Sequence, residues 1–341
     1  MDLPDRIEGD NQLDELLSRP SAALAKDLSS VPGDIMILGV GGKMGPTLAR
    51  MAKRAVDANR RIIAVSRFSD PTSRVALEQH GIETITADLL NTGALAALPD
   101  VKNIVYMAGM KFGATGNEPL TWAMNSFLPG LVCQRFPKSR IAAFSTGNVY
   151  PLTTLHLGGS VENDAPNPMG EYAQSCLGRE RIFQHFSQTN GTPVSILRLN
   201  YAVELRYGVM CDLAKKVLDG TPISVAMAAV NVVWQGDANA WALQSLAHAS
   251  SPASIFNLAG PEQLSVRRLA EQLGKRLGKE PIFEGEEAAH ALLSNGQKAH
   301  HAFGYPTVAV KQVLEWTADW IQSGGTTLGK PTKFEVRDGK F

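Results

Sequence analysis

Short apolar runs alternate with longer amphipathic stretches through residues 34–199. Apolar runs of about four to eight residues are typical of buried strands, whereas apolar residues that recur every three or four positions are typical of helices. This alternation predicts an α/β fold, a Rossmann-type doubly wound parallel sheet with helices on both faces. The predicted strands are 35–39, 61–66, 83–86, 103–107, 140–145 and 194–199.

The pattern differs on either side of this region. Residues 1–33 contain two helical patterns, at 11–17 and 21–28, whose leucines lie on one face and predict a packed N-terminal helical cap. After residue 199 the elements are shorter, and helical spacing returns at 236–249, 265–277 and 310–321. We predict a Rossmann domain at 34–199, a smaller α+β substrate lobe over most of 200–325, and a tail at 326–341.

A glycine cluster directly follows the first predicted strand and opens a helical pattern. Three glycines have the spacing GxxGxxG, and a fourth lies between them. Such glycines permit a tight turn, let backbone N–H groups approach a pyrophosphate, and let the helix pack on the strand. Because the strand and the helix are both in place, the loop predicts a dinucleotide site, with a purely structural turn as the alternative. The predicted cofactor-binding residues of this loop are Gly39, Gly41, Gly42, Lys43, Met44 and Gly45.

The end of the second predicted strand bears on cofactor preference. NAD-specific folds place an acidic residue there against the ribose 2′-hydroxyl. Here the residues are Ser66 and Arg67, and Arg50, Lys53 and Arg54 on the first helix are candidate neighbours. A hydroxyl and a guanidinium suit a 2′-phosphate, so we predict NADP in preference to NAD, with a solvated surface arginine as the alternative.

Charge, apolar segments and cysteine content indicate which partners and which compartment to expect. Lys and Arg together number 33, as do Asp and Glu, so the formal net charge is zero and gives no reason to expect nucleic acid or an anionic membrane. No stretch approaches a membrane span, and the N-terminus lacks the apolar core of a secretion signal. Cys133, Cys176 and Cys211 are odd in number and widely spaced, which argues against disulfides and a metal site. We expect a cytoplasmic protein.

Several blocks resemble, in the same order, those of the extended short-chain dehydrogenase/reductase family, the NAD-dependent epimerase/dehydratases of sugar nucleotides. The resemblance covers residues 34–321. GVGGKMG resembles the dinucleotide loop, FSTGNVY resembles the SSxxVYG strand end, EYAQSC occupies the YxxxK position, and FNLAG and FGYP resemble two downstream blocks. The resemblance implies further residues near the cofactor, namely Asp88, Leu89, Ala108, Gly109, Lys111, Asn125 and Tyr172.

The same resemblance implies a catalytic set. Tyr172 would take the proton of a substrate hydroxyl as hydride leaves its carbon, and Thr146 would hydrogen-bond the same oxygen. The family's lysine four residues after the tyrosine is replaced by Cys176, the third member of the set. That lysine normally lowers the pKa of the tyrosine; at a pKa of about 10, only about one tyrosine in a thousand is ionised at pH 7. As a nucleophile Cys176 has little support, because no histidine pairs with it in the sequence.

Three explanations of the missing lysine are open: Lys111 supplies the charge, the substrate is itself acidic, or the protein binds a dinucleotide without redox turnover.

The substrate lobe also departs from the family pattern for an anionic nucleotide, which favours a smaller sugar or sugar-derived substrate. The candidate substrate residues are Asn200, Arg206 and Trp234, with a core position as the alternative for Trp234. Helices at 120–136 and 172–188 correspond to a homodimer interface in the family. The predicted function is an NAD(P)-dependent epimerase, dehydratase or reductase; the alternative is a dinucleotide-binding sensor or scaffold.

Overall fold

A computed structural model describes residues 3–111, 113 and 115–340. A π-helical turn at Ala123–Phe127 joins two of the helices, and short 3₁₀ turns lie at Gly147–Val149, Leu155–Leu157 and Ser245–His248. The α-helices are α1 (Asp10–Leu17), α2 (Ala22–Ser29), α3 (Gly45–Ala55), α4 (Pro71–Gln79), α5 (Thr92–Ala96), α6 (Glu118–Trp122), α7 (Leu128–Arg135), α8 (Gly170–Asn190), α9 (Val209–Asp219), α10 (Gln235–Gln244), α11 (Val266–Leu277), α12 (Gln297–Phe303) and α13 (Val310–Gln322).

Over the described residues, the main sheet has seven parallel strands in the order β12-β7-β5-β4-β1-β2-β3. The remaining strands are two-residue pairs outside this sheet. The strands are β1 (Ile35–Leu38), β2 (Ile62–Ser66), β3 (Glu83–Thr86), β4 (Asn103–Tyr106), β5 (Arg140–Thr146), β6 (Thr153–Thr154), β7 (Val194–Leu199), β8 (Ala202–Val203), β9 (Ile223–Ser224), β10 (Ala229–Val230), β11 (Val233–Trp234), β12 (Ser254–Leu258), β13 (Leu264–Ser265), β14 (Phe283–Glu284) and β15 (His290–Ala291).

The central strand β1 fixes where a ligand can bind. Ile35 of β1 is in register with Ile62 of β2 on one side and with Asn103 of β4 on the other. The strand order reverses at β1, and open α/β sheets bind ligands in the crevice at the carboxyl ends of the strands at such a point. Residues of β1 enter the hydrophobic cores on both faces of the sheet. The predicted fold class is confirmed.

The six predicted strands are present, each within one residue at either end. The seventh strand of the sheet, β12, was not predicted. It pairs in parallel with β7, so the chain returns to the main sheet inside the 200–325 segment that we assigned mainly to the substrate lobe. The sequence SIFNL interrupts its apolar residues with Ser254 and Asn257, and a short mixed run of this kind gives no clear period.

The N-terminal helices α1 and α2 bury their apolar faces in different cores. Leu13 and Leu17 of α1 are part of the core of the substrate lobe, which also contains α9, α11 and α13. Leu24 and Leu28 of α2 belong to the core on one face of the Rossmann sheet. Ser21 caps α2 by accepting a hydrogen bond from the Leu24 N–H at 3.1 Å. The 1–33 segment thus connects the two cores.

Residues 326–340, which we call the C-terminal strap, pack along the substrate lobe. The Leu328 N–H donates to the Arg206 carbonyl oxygen at 3.0 Å, and Phe334 is 2% exposed in the lobe core. At its far end the strap reaches the start of α8, where a Cβ on Gly170 would lie 2.3 Å from the Gly339 carbonyl oxygen. The segment that we predicted only as a tail therefore joins the lobe to the helix that carries Tyr172.

Among the described helices, none combines the length and the apolar character that a bilayer crossing requires. The described residues also contain no group of three or more His, Cys, Asp or Glu side chains placed to hold a metal ion.

Candidate active site

The glycine loop between β1 and α3 leaves no room for side chains at two positions. Gly39 has φ +89°, and a Cβ there would lie 2.6 Å from the Ala108 backbone nitrogen. A Cβ on Gly45 would lie 2.0 Å from the Val40 carbonyl oxygen, so α3 starts directly against the loop. Gly42 is exposed, and the nearest atom to a Cβ there would be 3.8 Å away. Buried tight turns, an open outer face and a helix N-terminus together fit a pyrophosphate.

The side chains inside the loop face two ways. Met44 is half-buried against the core of the Rossmann sheet. Lys43 is directed towards the substrate lobe, where its Nζ lies 3.1 Å from the ring centroid of Tyr207. Burial, with the nearby ammonium groups of Lys111 and Lys330, lowers the pKa of Lys43 to about 7.

At the end of β2, Ser66 approaches the glycine loop and Arg67 is exposed. A Cβ on Gly41 would lie 2.6 Å from the Ser66 Oγ. The three basic residues of α3 are engaged elsewhere: Arg50 and Arg54 form ion pairs with Asp14 and Glu15 of α1, and Lys53 donates to the Ala58 carbonyl oxygen. Of the basic residues predicted near the 2′-position, Arg67 is the one that follows the strand directly.

Residues after β3 and β4 line the same edge of the sheet. Asp88 is exposed and accepts a hydrogen bond from the Leu90 N–H at 3.0 Å, whereas Leu89 is buried. Ala108 is buried beside Gly39, and Gly109 is exposed. These residues lie at the crevice where the dinucleotide was predicted.

Asn125 lies in the π-helical turn and is fully buried. Its Oδ1 accepts from the Met110 N–H at 2.8 Å and from Arg179 Nη2 at 2.6 Å. Its Nδ2 donates to the Met110 carbonyl oxygen at 2.9 Å and to the Ser175 Oγ at 3.0 Å. Asn125 therefore holds the loop after β4 against α8, and its described contacts are with protein groups.

Thr146 and Tyr172 come together where β5 ends and α8 begins. Thr146 is the last residue of β5 and is buried, and Tyr172 lies in the first turn of α8. The two side chains are hydrogen-bonded, and this bond acts to lower the pKa of the Tyr172 phenol. Thr146 Oγ1 also accepts from the Asn148 N–H at 3.2 Å, which fixes the hydroxyl at this position. The structure thus brings the predicted catalytic pair into contact.

Cys176 lies one turn along α8 from Tyr172 and is fully buried among Val149, Tyr150 and Tyr172. Burial raises the pKa of its thiol, which keeps it neutral. Burial is also the main cause that raises the pKa of Tyr172, and Cys176 adds to this increase. The cysteine therefore supplies no positive charge at the position of the family's lysine.

Two cations lie beside the phenol instead. Arg179, which the sequence analysis missed, is buried and donates from Nη1 to the Phe144 carbonyl oxygen at 2.8 Å. It is the main group that opposes the rise in the pKa of Tyr172. Lys111 Nζ lies 5.8 Å from the Tyr172 ring centroid, and burial lowers the pKa of this lysine to about 8. The separation of seven residues between Tyr172 and Arg179, two helical turns, is the signal that places both on one face of α8.

The three predicted substrate residues have different surroundings. Asn200 is buried beneath the loop that follows Thr146, and its Nδ2 donates to the Asn231 Oδ1 at 2.6 Å. A Cβ on Gly147 would lie 3.1 Å from the Asn200 Oδ1, so this amide adjoins the end of β5. Asn200 therefore lies next to Gly147, the residue that follows Thr146.

The other two predicted substrate residues make contacts within the protein. The Arg206 guanidinium forms ion pairs with Asp10, Asp14 and Glu204, so carboxylates of this chain already neutralise it. Trp234 is 4% exposed in the core of the lobe, with its ring centroid 5.6 Å from that of Trp316. Ion pairs thus account for the position of Arg206, and Trp234 lies in the core position that was the alternative for it.

No protein-family model matches the sequence, and no curated protein matches it. Solved structures do match. A UDP-glucose 4-epimerase from Thermotoga maritima, solved with UDP-glucose, has a TM-score of 0.72 at 15% identity, with 85% of this chain and 99% of that chain covered. A UDP-glucuronic acid 4-epimerase from Bacillus cereus, solved with NAD, has a TM-score of 0.72 at 18% identity and the same two coverages of 85% and 99%.

A dTDP-glucose 4,6-dehydratase from Streptomyces venezuelae, solved with NAD, has a TM-score of 0.72 at 19% identity, with 85% of this chain and 97% of that chain covered. Each of these similarities extends over nearly the full length of the other protein. The chain therefore has the fold of these sugar-nucleotide epimerases and dehydratases.

Proposed function

We propose that the protein binds a nicotinamide dinucleotide and acts on a sugar or sugar-derived substrate by hydride transfer, as an extended short-chain dehydrogenase/reductase of the epimerase, dehydratase or reductase type. The observation that carries this proposal is the hydrogen-bonded pair of Thr146 and Tyr172 at the edge of the sheet that also carries the glycine loop. A protein that only binds a dinucleotide has no chemical need for this pair.

When bound, the dinucleotide would supply the acceptor or donor of the hydride. The backbone of residues 39–45 and the N-terminus of α3 would hold its pyrophosphate, and Asp88 and Leu89 would lie on the adenine side. The exposed Arg67 and the lack of an acidic residue directly after β2 support a preference for NADP. NAD in two of the solved neighbours supports a nicotinamide cofactor in general.

Tyr172 would take a proton from the substrate hydroxyl, and Thr146 would hold the same oxygen. The phenol must lose its proton against the burial that raises its pKa. Arg179 opposes that increase, because a nearby positive charge stabilises the phenolate. Lys111 Nζ, 5.8 Å from the ring centroid of Tyr172, is placed to add to this effect. We infer that these two residues share the electrostatic role of the lysine that Cys176 replaces.

The second candidate function is a dinucleotide-binding sensor or scaffold without efficient turnover. The observation that favours it is the raised pKa of Tyr172, together with the neutral thiol of Cys176 at the lysine position. Both candidates require dinucleotide binding, but only the enzyme would convert a substrate efficiently.

The experiment is a fluorescence titration of the purified protein with NADPH and with NADH, after a check for nucleotide that co-purifies. Binding of either is expected, with NADPH the tighter ligand. A screen of sugars by nicotinamide absorbance follows, with Tyr172→Phe as the control that keeps binding but loses turnover. Binding without turnover on any sugar would favour the sensor, and no binding with no co-purified nucleotide would overturn both candidates.

We also propose a cellular compartment and an oligomeric state for the protein. Its three cysteines are buried free thiols, which supports a reducing compartment such as the cytoplasm. Exposed apolar side chains on the α6–α7 segment support a homodimer; Leu120, Trp122 and Phe127 are 40%, 38% and 61% exposed.

A further inference from the structure

Four lysines come together where the glycine loop, the loop after β4 and the C-terminal strap approach one another. Lys43 lies in the glycine loop and Lys111 in the loop after β4, and Lys330 and Lys333 lie on the C-terminal strap. Lys111 Nζ donates to the Thr332 carbonyl oxygen at 3.4 Å, and Thr332 lies between the two strap lysines in the sequence. The strap thus carries two ammonium groups to the edge where Lys111 approaches Tyr172.

The strap is fixed at this point by specific contacts. The N–H and the hydroxyl of Thr332 donate to Asp212 Oδ2 of α9 at 2.7 and 2.6 Å. Phe334 is anchored in the core of the lobe. Lys333 has φ +55°, a left-handed conformation that residues with a side chain rarely adopt, and the flanking anchors hold it there.

The cluster carries more positive charge than its own carboxylates offset. Burial is the main cause that lowers the pKa of Lys43 and of Lys111. Lys111 and Lys330 lower that of Lys43 further, and Lys333 that of Lys111, because like charges close together disfavour one another. Asp212 opposes these effects at both lysines, and Glu204 opposes them at Lys43. Asp212 also accepts the two hydrogen bonds from Thr332, and Glu204 is ion-paired with Arg206. A bound anion would relieve this repulsion.

The dinucleotide pyrophosphate accounts for only part of the cluster. That group would bind on the open outer face of the glycine loop, at the N-terminus of α3. Lys111 extends the positive charge towards Tyr172, the residue proposed to act on the substrate, and the strap lysines belong to the substrate lobe. The positive charge that the pyrophosphate does not balance therefore lies on the side of the substrate lobe.

We propose that Lys43, Lys111, Lys330 and Lys333 bind an anionic group of the substrate, a carboxylate or a phosphate, so that the substrate is a sugar acid or a sugar phosphate. This inference rests on the proposed function, because it names the substrate class of the same site. It also gives the C-terminal strap a role in recognition.

The test is calorimetric titration of the protein, saturated with the dinucleotide that it binds, with gluconate, glucose 6-phosphate and glucose. At least one of the two anions is expected to bind about tenfold more tightly than glucose at low ionic strength, and the tighter of them identifies carboxylate or phosphate. The variant Lys330→Gln/Lys333→Gln is expected to lose about tenfold in affinity for that anion and to keep its dinucleotide affinity within about twofold. The matched control Lys275→Gln/Lys279→Gln removes the same charge from exposed positions at the end of α11 and should change neither affinity.

Equal binding of glucose and both anions, or equal anion affinity in the strap variant and the wild type, would overturn the inference. A strap variant that loses dinucleotide affinity instead would assign the lysines to the cofactor and would also overturn it. The proposed function is tested separately, by the dinucleotide titration of the wild type. If no dinucleotide binds, the proposed function fails, and the three titrations of the protein alone still show whether the lysines bind an anion.

Discussion

Arg179 Nη2 donates to Asn125 Oδ1 over 2.6 Å, and this bond fixes a buried guanidinium two helical turns from Tyr172. In the proposed enzyme, Arg179 stabilises the phenolate of Tyr172 because it is the main charge that lowers the phenol's pKa. We predict that Arg179→Met raises that pKa, so the acid limb of the pH–rate profile moves up by about one unit or more. Activity at neutral pH falls and recovers as the pH rises.

Arg179→Lys is the control for this prediction, because it keeps the charge and removes only part of the hydrogen bonding. The measurement is turnover against pH, with melting temperature recorded for both variants. A purely structural Arg179 would lower the melting temperature and leave the position of the acid limb unchanged.

A second prediction concerns Cys176, which is fully buried and close to the charges of Arg179 and Lys111. Cys176→Lys adds a cation one turn from Tyr172, so the pKa of the phenol falls and activity at neutral pH rises. The same variant loses a few kcal/mol of unfolding free energy, because a longer side chain and a like charge enter a packed site. Turnover against pH and urea unfolding measure the two effects.

Cys176→Met is the matched control for that variant, since it adds bulk without charge. It should lose stability without any shift of the pH profile. Lower turnover in the lysine variant with intact cofactor binding would instead show that Cys176 takes part in a different mechanism.

A third prediction concerns the buried ion pair between Glu180 and Arg198, whose side chains are 0% and 2% exposed. Glu180 also accepts a hydrogen bond from the Ser145 hydroxyl at 2.6 Å. Glu180→Gln leaves the buried guanidinium without its counter-charge, so we expect a loss of about 3–5 kcal/mol in the free energy of unfolding. Urea denaturation measures it. The control is Glu83→Gln, which breaks the exposed pair with Arg61 and should cost less than about 1 kcal/mol.

A fourth prediction tests the cofactor preference at Arg67. If the exposed guanidinium binds a 2′-phosphate, Arg67→Ala should lower NADPH affinity about tenfold and leave NADH affinity unchanged, because a hydrogen bond to a charged group contributes about 1.5–3 kcal/mol. Fluorescence titration with each dinucleotide gives the ratio. Arg74→Ala, which removes an exposed arginine paired with Glu78 on α4, is the control. A variant at Arg67 that keeps its preference for NADPH would count against this assignment.

A fifth prediction concerns assembly. Phe127 is 61% exposed on the segment that joins α6 to α7, and a homodimer would bury it. The wild type should have about twice the 36.7 kDa mass of one chain by light scattering, and Phe127→Glu should shift it towards the monomer. Leu157→Glu makes a comparable change at another exposed apolar residue and should leave the mass as it is. A monomeric wild type would remove the homodimer from the proposal.

Local patterns were sufficient for the strands and for the glycine loop. The run before Gly39 is uniformly apolar, and the glycines follow it directly, so neighbouring residues carry the whole signal. The pairing of Thr146 with Tyr172 followed from the order of the blocks rather than from any local pattern. That prediction therefore rested on the resemblance to the family and not on composition.

Contacts between distant residues were beyond the sequence analysis. Arg206 is paired with Asp10 and Asp14, which lie 196 and 192 residues away, and nothing near Arg206 in the sequence announces them. Arg179 and the strap lysines were missed for the same reason, since their proximity to the site depends on how α8 and the strap pack. Strand β12 was missed because five mixed residues give no clear period.

The division of the N-terminal helices between two cores limits how far the substrate lobe and the Rossmann sheet can separate. Four residues, 18–21, connect α1, which is packed in the substrate lobe, to α2, which is packed on the Rossmann sheet. Rigid-body separation of the two lobes would have to pull one of these helices out of its core. Exchange of ligands is then expected to depend on local movement of loops rather than on separation of the two lobes.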